Sequence, residues 1–256
     1  MSREPLPLLG GQVDGVLFDV DDTLVDTRSA FGVAMRRIAE TYLPDLPADR
    51  HDEVLVHWRR DALGHYRAYT RGETTFRAQR LARANLLQEE FGGAPVPDEA
   101  FEEWDAVFEG AFQDGWAAHA EAASCVADLA AHGLKVGALS NAAFDYQVLK
   151  LERAGLGDVP MLVGVDTLGV GKPDPRVFLE ACRLLGTEPH RTVYVGDELD
   201  VDARGALAAG LRAVWVDRPG ARRGGPHLED PALAEAEGIV VVPSLREVVG
   251  MLGVDA

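Results

Sequence analysis

The chain is short of cysteine, of lysine and of long apolar runs, and each shortage narrows what it can be. Its two cysteines, Cys125 and Cys182, fall in no metal-binding or redox spacing, which excludes a disulfide scaffold and fits a reducing cytosol. Only three lysines, Lys135, Lys150 and Lys172, stand against 22 arginines. Positive charge as a whole is outnumbered, and the net charge of −17 opposes binding to nucleic acid or to an anionic membrane. No apolar run approaches the ~20 residues that span a bilayer. Met1 to Gly11 lacks the apolar core of a signal peptide. A cytoplasmic protein without nucleic-acid or membrane partners is expected. A nucleotide-binding P-loop is missing too, because Gly171-Lys172 runs into Pro173 and no glycine stands five residues before Gly171. ATP-dependent kinase activity is thereby disfavoured. Neither an internal repeat nor a low-complexity tract interrupts the 256 residues, a length that suits one domain carrying an insertion.

Acid is plentiful, and its densest placement is near the start. A short apolar run, Val13 to Phe18, reads as a buried strand and opens into Phe18-Asp19-Val20-Asp21-Asp22-Thr23-Leu24. Three carboxylates in four residues repel one another unless a cation or a phosphoryl group joins them. In extended chain Asp19 and Asp21 share one side and Asp22 points elsewhere, so two carboxylates can divide the work of nucleophile and proton carrier. A polar turn after a strand is the bland alternative.

Residues 27–117 carry helical spacing throughout. Phe31, Met35, Ile38 and Tyr42 mark a first helix after Asp26. Val54, Trp58, Ala62, His65 and Tyr69 mark a second, ending near Gly72. A third runs from Phe76 to Phe91, and Phe101, Trp104, Phe108 and Phe112 stripe a fourth. Twelve of the 18 aromatic residues lie here, enough for a small core of its own. His57 and His65 are near one another, but no third ligand is evident and a metal site is not expected there.

From about residue 119 helix and strand alternate. Strands are expected at 134–139, 161–165, 192–195, 212–216 and 239–242. Helices are expected at 121–132, up to Gly155, up to Leu185, at 199–209 and at 248–252. A Pro/Gly/Arg-rich loop covers Arg218 to Pro226. Such alternation with continuous apolar strands predicts an α/β fold, a parallel sheet covered on both faces. The domain expectation is an α/β core from 1–26 and 118–256 with an all-helical insertion at 27–117. Strand ends of such a sheet meet at one edge, where ligands bind. Asp19 and Asp21, then Ser140-Asn141, then Lys172, then Asp197 and Asp202 fall at or after strand ends. A hydroxyl and a lysine make an anion cradle, and clustered carboxylates make a hard-cation site suited to Mg²⁺. Together they suit phosphoryl transfer. Taken singly, Ser140-Asn141 and Asp197 could be ordinary helix caps.

Phe-Asp-Val-Asp-Asp-Thr-Leu, Leu-Ser-Asn, Gly-Lys-Pro-Asp-Pro and Val-Gly-Asp-Glu-Leu-Asp-Val-Asp-Ala, in that order, resemble the four-motif signature of the haloacid dehalogenase-like hydrolases. The resemblance spans nearly the whole chain. It implies a Rossmann-like three-layer core with a helical cap inserted after the first motif, and Mg²⁺-dependent phosphatase activity. Position by position it implies that Asp19 attacks phosphorus and that Asp21 protonates the leaving oxygen and later activates water. Ser140, Asn141 and Lys172 would bind phosphate. Asp19, the main-chain carbonyl of Val20 and Asp197 would ligate Mg²⁺, with Asp202 behind them or through water, and Thr23 would brace the Asp21 loop. Asp22, Glu198 and Asp200 depart from the usual pattern by thickening the acidic cluster. Dehalogenating members lack an aspartate at the Asp21 position, so the resemblance points to phosphate chemistry on a small phosphorylated metabolite. Arg71 and Glu73, in the turn after the second expected helix, are candidate substrate-facing cap residues. A phosphomutase of the β-phosphoglucomutase type shares these motifs and is the alternative. A non-enzymatic phosphate-responsive module, like the receiver domains, fits less well, because those are about half this length and carry no cap. Oligomeric state is left open.

Overall fold

The structure, a computed structural model, describes residues 13–222, 224 and 228–252. The expectation for Met1 to Gly11, and the end of the Arg218–Pro226 loop apart from residue 224, lie outside the described residues. Two compact units divide the chain. One is built on Thr27–Ala117, and the other on residues 13–26, 118–222 and 228–252.

The Thr27–Ala117 unit is helical: α1 (Thr27–Tyr42), α2 (His51–Arg60), α3 (His65–Thr70), α4 (Phe76–Phe91) and α5 (Phe101–Asp114). Apolar spacing alone predicts one helix from Val54 to about Gly72, but two form. Asp61 takes a left-handed conformation (φ 44°) that ends α2, and its carboxylate accepts from the amides of Tyr66 and Arg67 at the start of α3. The apolar stripe continues across the break, which is why periodicity alone does not reveal it. α4 has the expected bounds, with the Thr75 hydroxyl capping its start and Gly92 left-handed at its end. Phe101, Trp104, Phe108 and Phe112 all turn inward from α5, against Ala30, Ala34, Met35 and Ile38 of α1. Phe31 and Phe112 stack with centroids 4.4 Å apart. A Cβ on Gly115 would lie 2.7 Å from the Cα of Ala30, so only glycine permits the close approach there. Arg80 is buried and balanced by Asp105 and Glu109, both at 2.9 Å. His57, half-buried, packs its ring edge-on to the half-buried Phe91.

The other unit holds a six-stranded, all-parallel sheet in the order β3-β2-β1-β4-β5-β6. The strands are β1 (Gly15–Phe18), β2 (Lys135–Leu139), β3 (Met161–Val163), β4 (Thr192–Gly196), β5 (Arg212–Val216) and β6 (Val240–Val242). Alternation along each strand feeds two cores. Val16, Phe18, Val193, Val195, Val214 and Val216 face one layer, where α6 (Ala122–Ala131), α7 (Phe144–Arg153) and α12 (Arg246–Met251) pack. Leu17, Tyr194, Ala213 and Trp215 face the other, beneath α9 (Pro175–Leu185), α10 (Arg204–Ala208) and α11 (Pro231–Ala236). This is the three-layer α/β/α arrangement.

Three local features depart from the expectation. A single-turn helix, α8 (Val165–Leu168), interrupts the loop before Lys172, and α11 follows an N-cap at Asp230 that the pattern does not flag. The helix expected at 199–209 begins as a wide turn, Leu199–Ala203, in which the Ala203 amide reaches back to the carbonyl of Glu198, before α10. Wide turns of this kind are frequent at functional sites, and this one carries Asp202.

Candidate active site

Strand order reverses at β1, so the ends of β1 and β4 lie side by side at the carboxyl edge of the sheet. Asp19 follows β1 directly, and its amide donates to the carbonyl of Val195 on β4 at 2.9 Å. Its side chain is buried with 7% exposure, and Lys172 Nζ lies 2.6 Å from its Oδ1. The same ammonium reaches Asp202 Oδ1 at 2.7 Å and the Tyr194 hydroxyl at 2.8 Å. Three donors thus meet three acceptors. The Tyr194 hydroxyl in turn donates to the carbonyl of Leu139 at 3.0 Å.

Burial opposes charge on Lys172, but Asp19 and Asp202 outweigh it and lift its pKa well above the usual value. Burial also raises the Asp19 carboxyl, to about 8, against the pull of Lys172 and with Asp202 and Asp21 adding to the rise. Asp202 is likewise raised, first by burial, with Lys172 opposing. A site of several acids and one lysine calls for further positive charge.

Asn141 holds the lysine loop through its main chain: its Nδ2 donates to the carbonyl of Lys172 at 2.9 Å, and its Oδ1 accepts from the Lys172 amide at 2.6 Å. A Cβ on Gly171 would lie 2.3 Å from that Oδ1, so the Gly-Lys step is part of the clamp. Gly196 is needed for the same kind of reason, because a Cβ there would meet Asp202 Oδ2 at 2.4 Å. Asp202 Oδ2 also accepts the Glu198 amide at 2.9 Å, which fixes the wide turn over the sheet edge.

Ser140, buried at the end of β2, accepts at Oγ from Gln147 Nε2 at 2.7 Å and from the Ala142 amide at 3.2 Å. Asp21 is held by Lys150 Nζ at 2.5 Å and by Gln147 Nε2 at 2.6 Å. Gln147 and Lys150 both come from α7, and the motif reading assigns neither. The scarcity of lysine that singles out Lys172 singles out Lys150 equally, and was the available signal.

Two readings of individual residues change. The Val20 carbonyl accepts from the amides of Leu24 (3.0 Å) and Val25 (2.9 Å), which folds the acidic segment into a tight turn and occupies both lone pairs. A carbonyl so engaged has no lone pair left to offer a cation. The segment is no longer extended at this point, and Asp22 is left-handed at φ 61°. Thr23 Oγ1 is buried with no hydrogen-bond partner among the described residues, so the hydroxyl does not brace the turn by such a bond. Arg218 does: it donates to the carbonyls of Asp22 (3.4 Å) and Thr23 (3.2 Å) and pairs with Glu121 at 2.6 Å. Arg71 and Glu73 lie exposed in the helical unit, paired with each other at 2.7 Å.

Asp19, Asp197 and Asp202 each offer an oxygen, all within 4.8 Å of one another, the one such group of potential ligands among the described residues. An all-carboxylate oxygen set suits a hard divalent cation such as Mg²⁺ and not a soft metal. Both oxygens of Asp202 are already engaged, which suits a ligand acting through water, whereas Asp19 Oδ1 accepts one bond from Lys172 and keeps a second lone pair that a cation could take.

A parallel sheet with a buried carboxylate, a lysine matched to it and a cluster of three carboxylates at its switch point is a Rossmann-like α/β core. The chain belongs to the haloacid dehalogenase-like hydrolase family, whose model matches residues 13–210. It is an enzyme of the phosphatase branch, a phosphoric monoester hydrolase. It is 36% identical over 208 residues to a phosphoserine phosphatase of Thermus thermophilus, covering 81% of this chain and 77% of that one. Over 212 residues it is 30% identical to a glyceraldehyde 3-phosphate phosphatase of Methanopyrus kandleri, covering 80% and 84%. The fold matches the magnesium-bound HAD-hydrolase YfnB of Bacillus subtilis at a TM-score of 0.74 and 21% identity, covering 95% of this chain and 100% of that one.

Proposed function

We propose that the protein is a Mg²⁺-dependent phosphatase of small phosphate monoesters that works through an aspartyl phosphate on Asp19. The observation that carries the reading is the environment of Asp19: buried at the switch point, one oxygen pinned by Lys172, and within ligand reach of Asp197. The pinned Oδ1 leaves Oδ2 to attack phosphorus. An Oδ2–P bond forms as the ester P–O bond breaks, and Asp21 delivers a proton to the departing oxygen. Asp21 then takes a proton from the water that cleaves the acyl phosphate, returning Asp19. Ser140 donates to a phosphoryl oxygen, and Lys172 supplies a fixed positive charge beside it. Asp19 and Asp197, with Asp202 through water, would hold Mg²⁺, which when bound offsets the repulsion between carboxylate and phosphate. Asn141 serves the lysine loop in this reading and does not itself touch phosphate. We further propose that Thr27–Ala117 acts as a cap that selects the leaving group, with Arg71 and Glu73 among its candidate contacts.

Phosphate release from a panel of phosphorylated metabolites, with Mg²⁺ and with EDTA, tests the reading. Mg²⁺-dependent release should fall at least about 10³-fold in Asp19→Asn. Release that survives the substitution, or wild-type inactivity on every phosphate offered, would sink it.

A further inference from the structure

Helix α7 carries two buried polar residues, Gln147 at 0% and Lys150 at 2% exposure, onto one carboxylate. Lys150 Nζ meets Asp21 Oδ1 at 2.5 Å, and Gln147 Nε2 meets Asp21 Oδ2 at 2.6 Å. They lie three residues apart, on one face of the helix. The Lys150 ammonium also sits 5.1 Å from the centre of the Tyr146 ring. Each oxygen of Asp21 thus receives one donor and keeps a lone pair for the proton it carries.

The Gln147 amide does a second job. An ionised carboxylate only accepts, so Gln147 must turn its NH₂ group to Asp21, and its Oε1 has no hydrogen-bond partner among the described residues. The same nitrogen lies 2.7 Å from Ser140 Oγ, which also accepts the Ala142 amide. Both lone pairs of that oxygen are then engaged, and its hydroxyl hydrogen is left to donate.

We infer that Lys150 and Gln147 are positioning residues for the reaction: together they fix the carboxylate of Asp21 toward the leaving oxygen, and Gln147 keeps Ser140 a donor. The inference rests on the reading of Asp21 as proton carrier. A pair that served only to stabilise the core would lower activity evenly, or not at all. A pair that aims a proton at the leaving oxygen matters where departure needs that proton. It matters little where the leaving group is already a stable anion.

The test compares kcat/KM, which reports the steps up to the phosphorylated enzyme, for glycerol 2-phosphate and for 2,4-dinitrophenyl phosphate. In Lys150→Met the alkyl ester should lose about 10- to 100-fold, the range of other supporting residues, and the dinitrophenyl ester less than about threefold. Gln147→Met should show the same asymmetry. The Asp21 side chain is 28% exposed, so Lys150→Met leaves it open to water and should fold, which its thermal transition checks. Equal losses for the two esters, or no loss, overturn the inference. Wild-type inactivity on both esters leaves the phosphatase reading to the metabolite panel. The pairing is then judged by the thermal shifts of Lys150→Met, Asp21→Asn and the double variant. Non-additive shifts retain it, and additive shifts overturn it.

Discussion

The ammonium of Lys172 sits 2.8 Å from the hydroxyl of Tyr194, the third acceptor it needs once Asp19 and Asp202 have taken the other two hydrogens. A buried cation with every donor met is held in one place, and the hydroxyl is itself anchored on Leu139. Tyr194→Phe removes that acceptor without opening a cavity. It should cost about 1–3 kcal/mol in urea unfolding, the range for a buried group left unsatisfied.

Removing the charge costs more. Lys172→Met leaves Asp19 and Asp202 buried beside one another without a counter-charge, and should destabilise the fold by about 3–5 kcal/mol. Adding Asp202→Asn should recover part of that loss. Additivity of the two substitutions in chemical unfolding would count against the network.

Magnesium should raise the melting temperature, because a ligand that binds the folded state alone stabilises it by mass action, about 2.7 kcal/mol at a hundred times its dissociation constant. EDTA should reverse the shift, and Asp197→Asn should abolish most of it. A shift of wild-type size in Asp197→Asn would place the cation elsewhere.

His119 gives a pH signature. Burial, and then Arg218, lower its pKa below the ordinary histidine value of 6.5. The unfolded chain therefore takes up the proton first as the pH falls through 6.5, and the stability that the neutral imidazole contributes is present above that value and lost below it. Unfolding measured about one pH unit either side of 6.5 should lose more stability in the wild type than in His119→Gln.

Both cysteines should be silent in the folded protein. Burial pushes the Cys125 thiol up to about 12 and raises that of Cys182, so neither forms much thiolate near neutral pH. Iodoacetamide followed by mass spectrometry should find no alkylation in native buffer and two sites in urea. A label on the native chain would contradict the burial.

Much of the fold is legible in the sequence, because its signals are local. Thr75 and Gly92 bracket α4, and β5 has its expected bounds, Arg212–Val216. Strand ends advertise their polar residues, so Asp19, Ser140 and Lys172 stand out. What stays hidden depends on side chains acting at a distance. Asp61 breaks a helix by capping amides five and six residues away while the apolar spacing runs on. Gln147 and Lys150 look like ordinary polar positions of α7 until the sheet places Asp21 beside them. Which carbonyl a tight turn consumes, as at Val20, depends on backbone conformation, on which the residue types are silent.

The register of β1 with β4 pairs Phe18 with Val195, so the residue after each partner, Asp19 and Gly196, is set by the ladder. The distance across which a cation would be held is inherited from the spacing of two neighbouring strands, about 4.8 Å, which side-chain substitution alters little. None of Asp19, Asp21, Ser140, Lys172, Asp197 and Asp202 belongs to Thr27–Ala117. The chain is thus partitioned into a part whose spacing resists drift and a part free to change. On the reading proposed above, in which Thr27–Ala117 selects the leaving group, a lineage carrying this architecture acquires new substrates by rewriting its helices while its chemistry stays where the sheet put it.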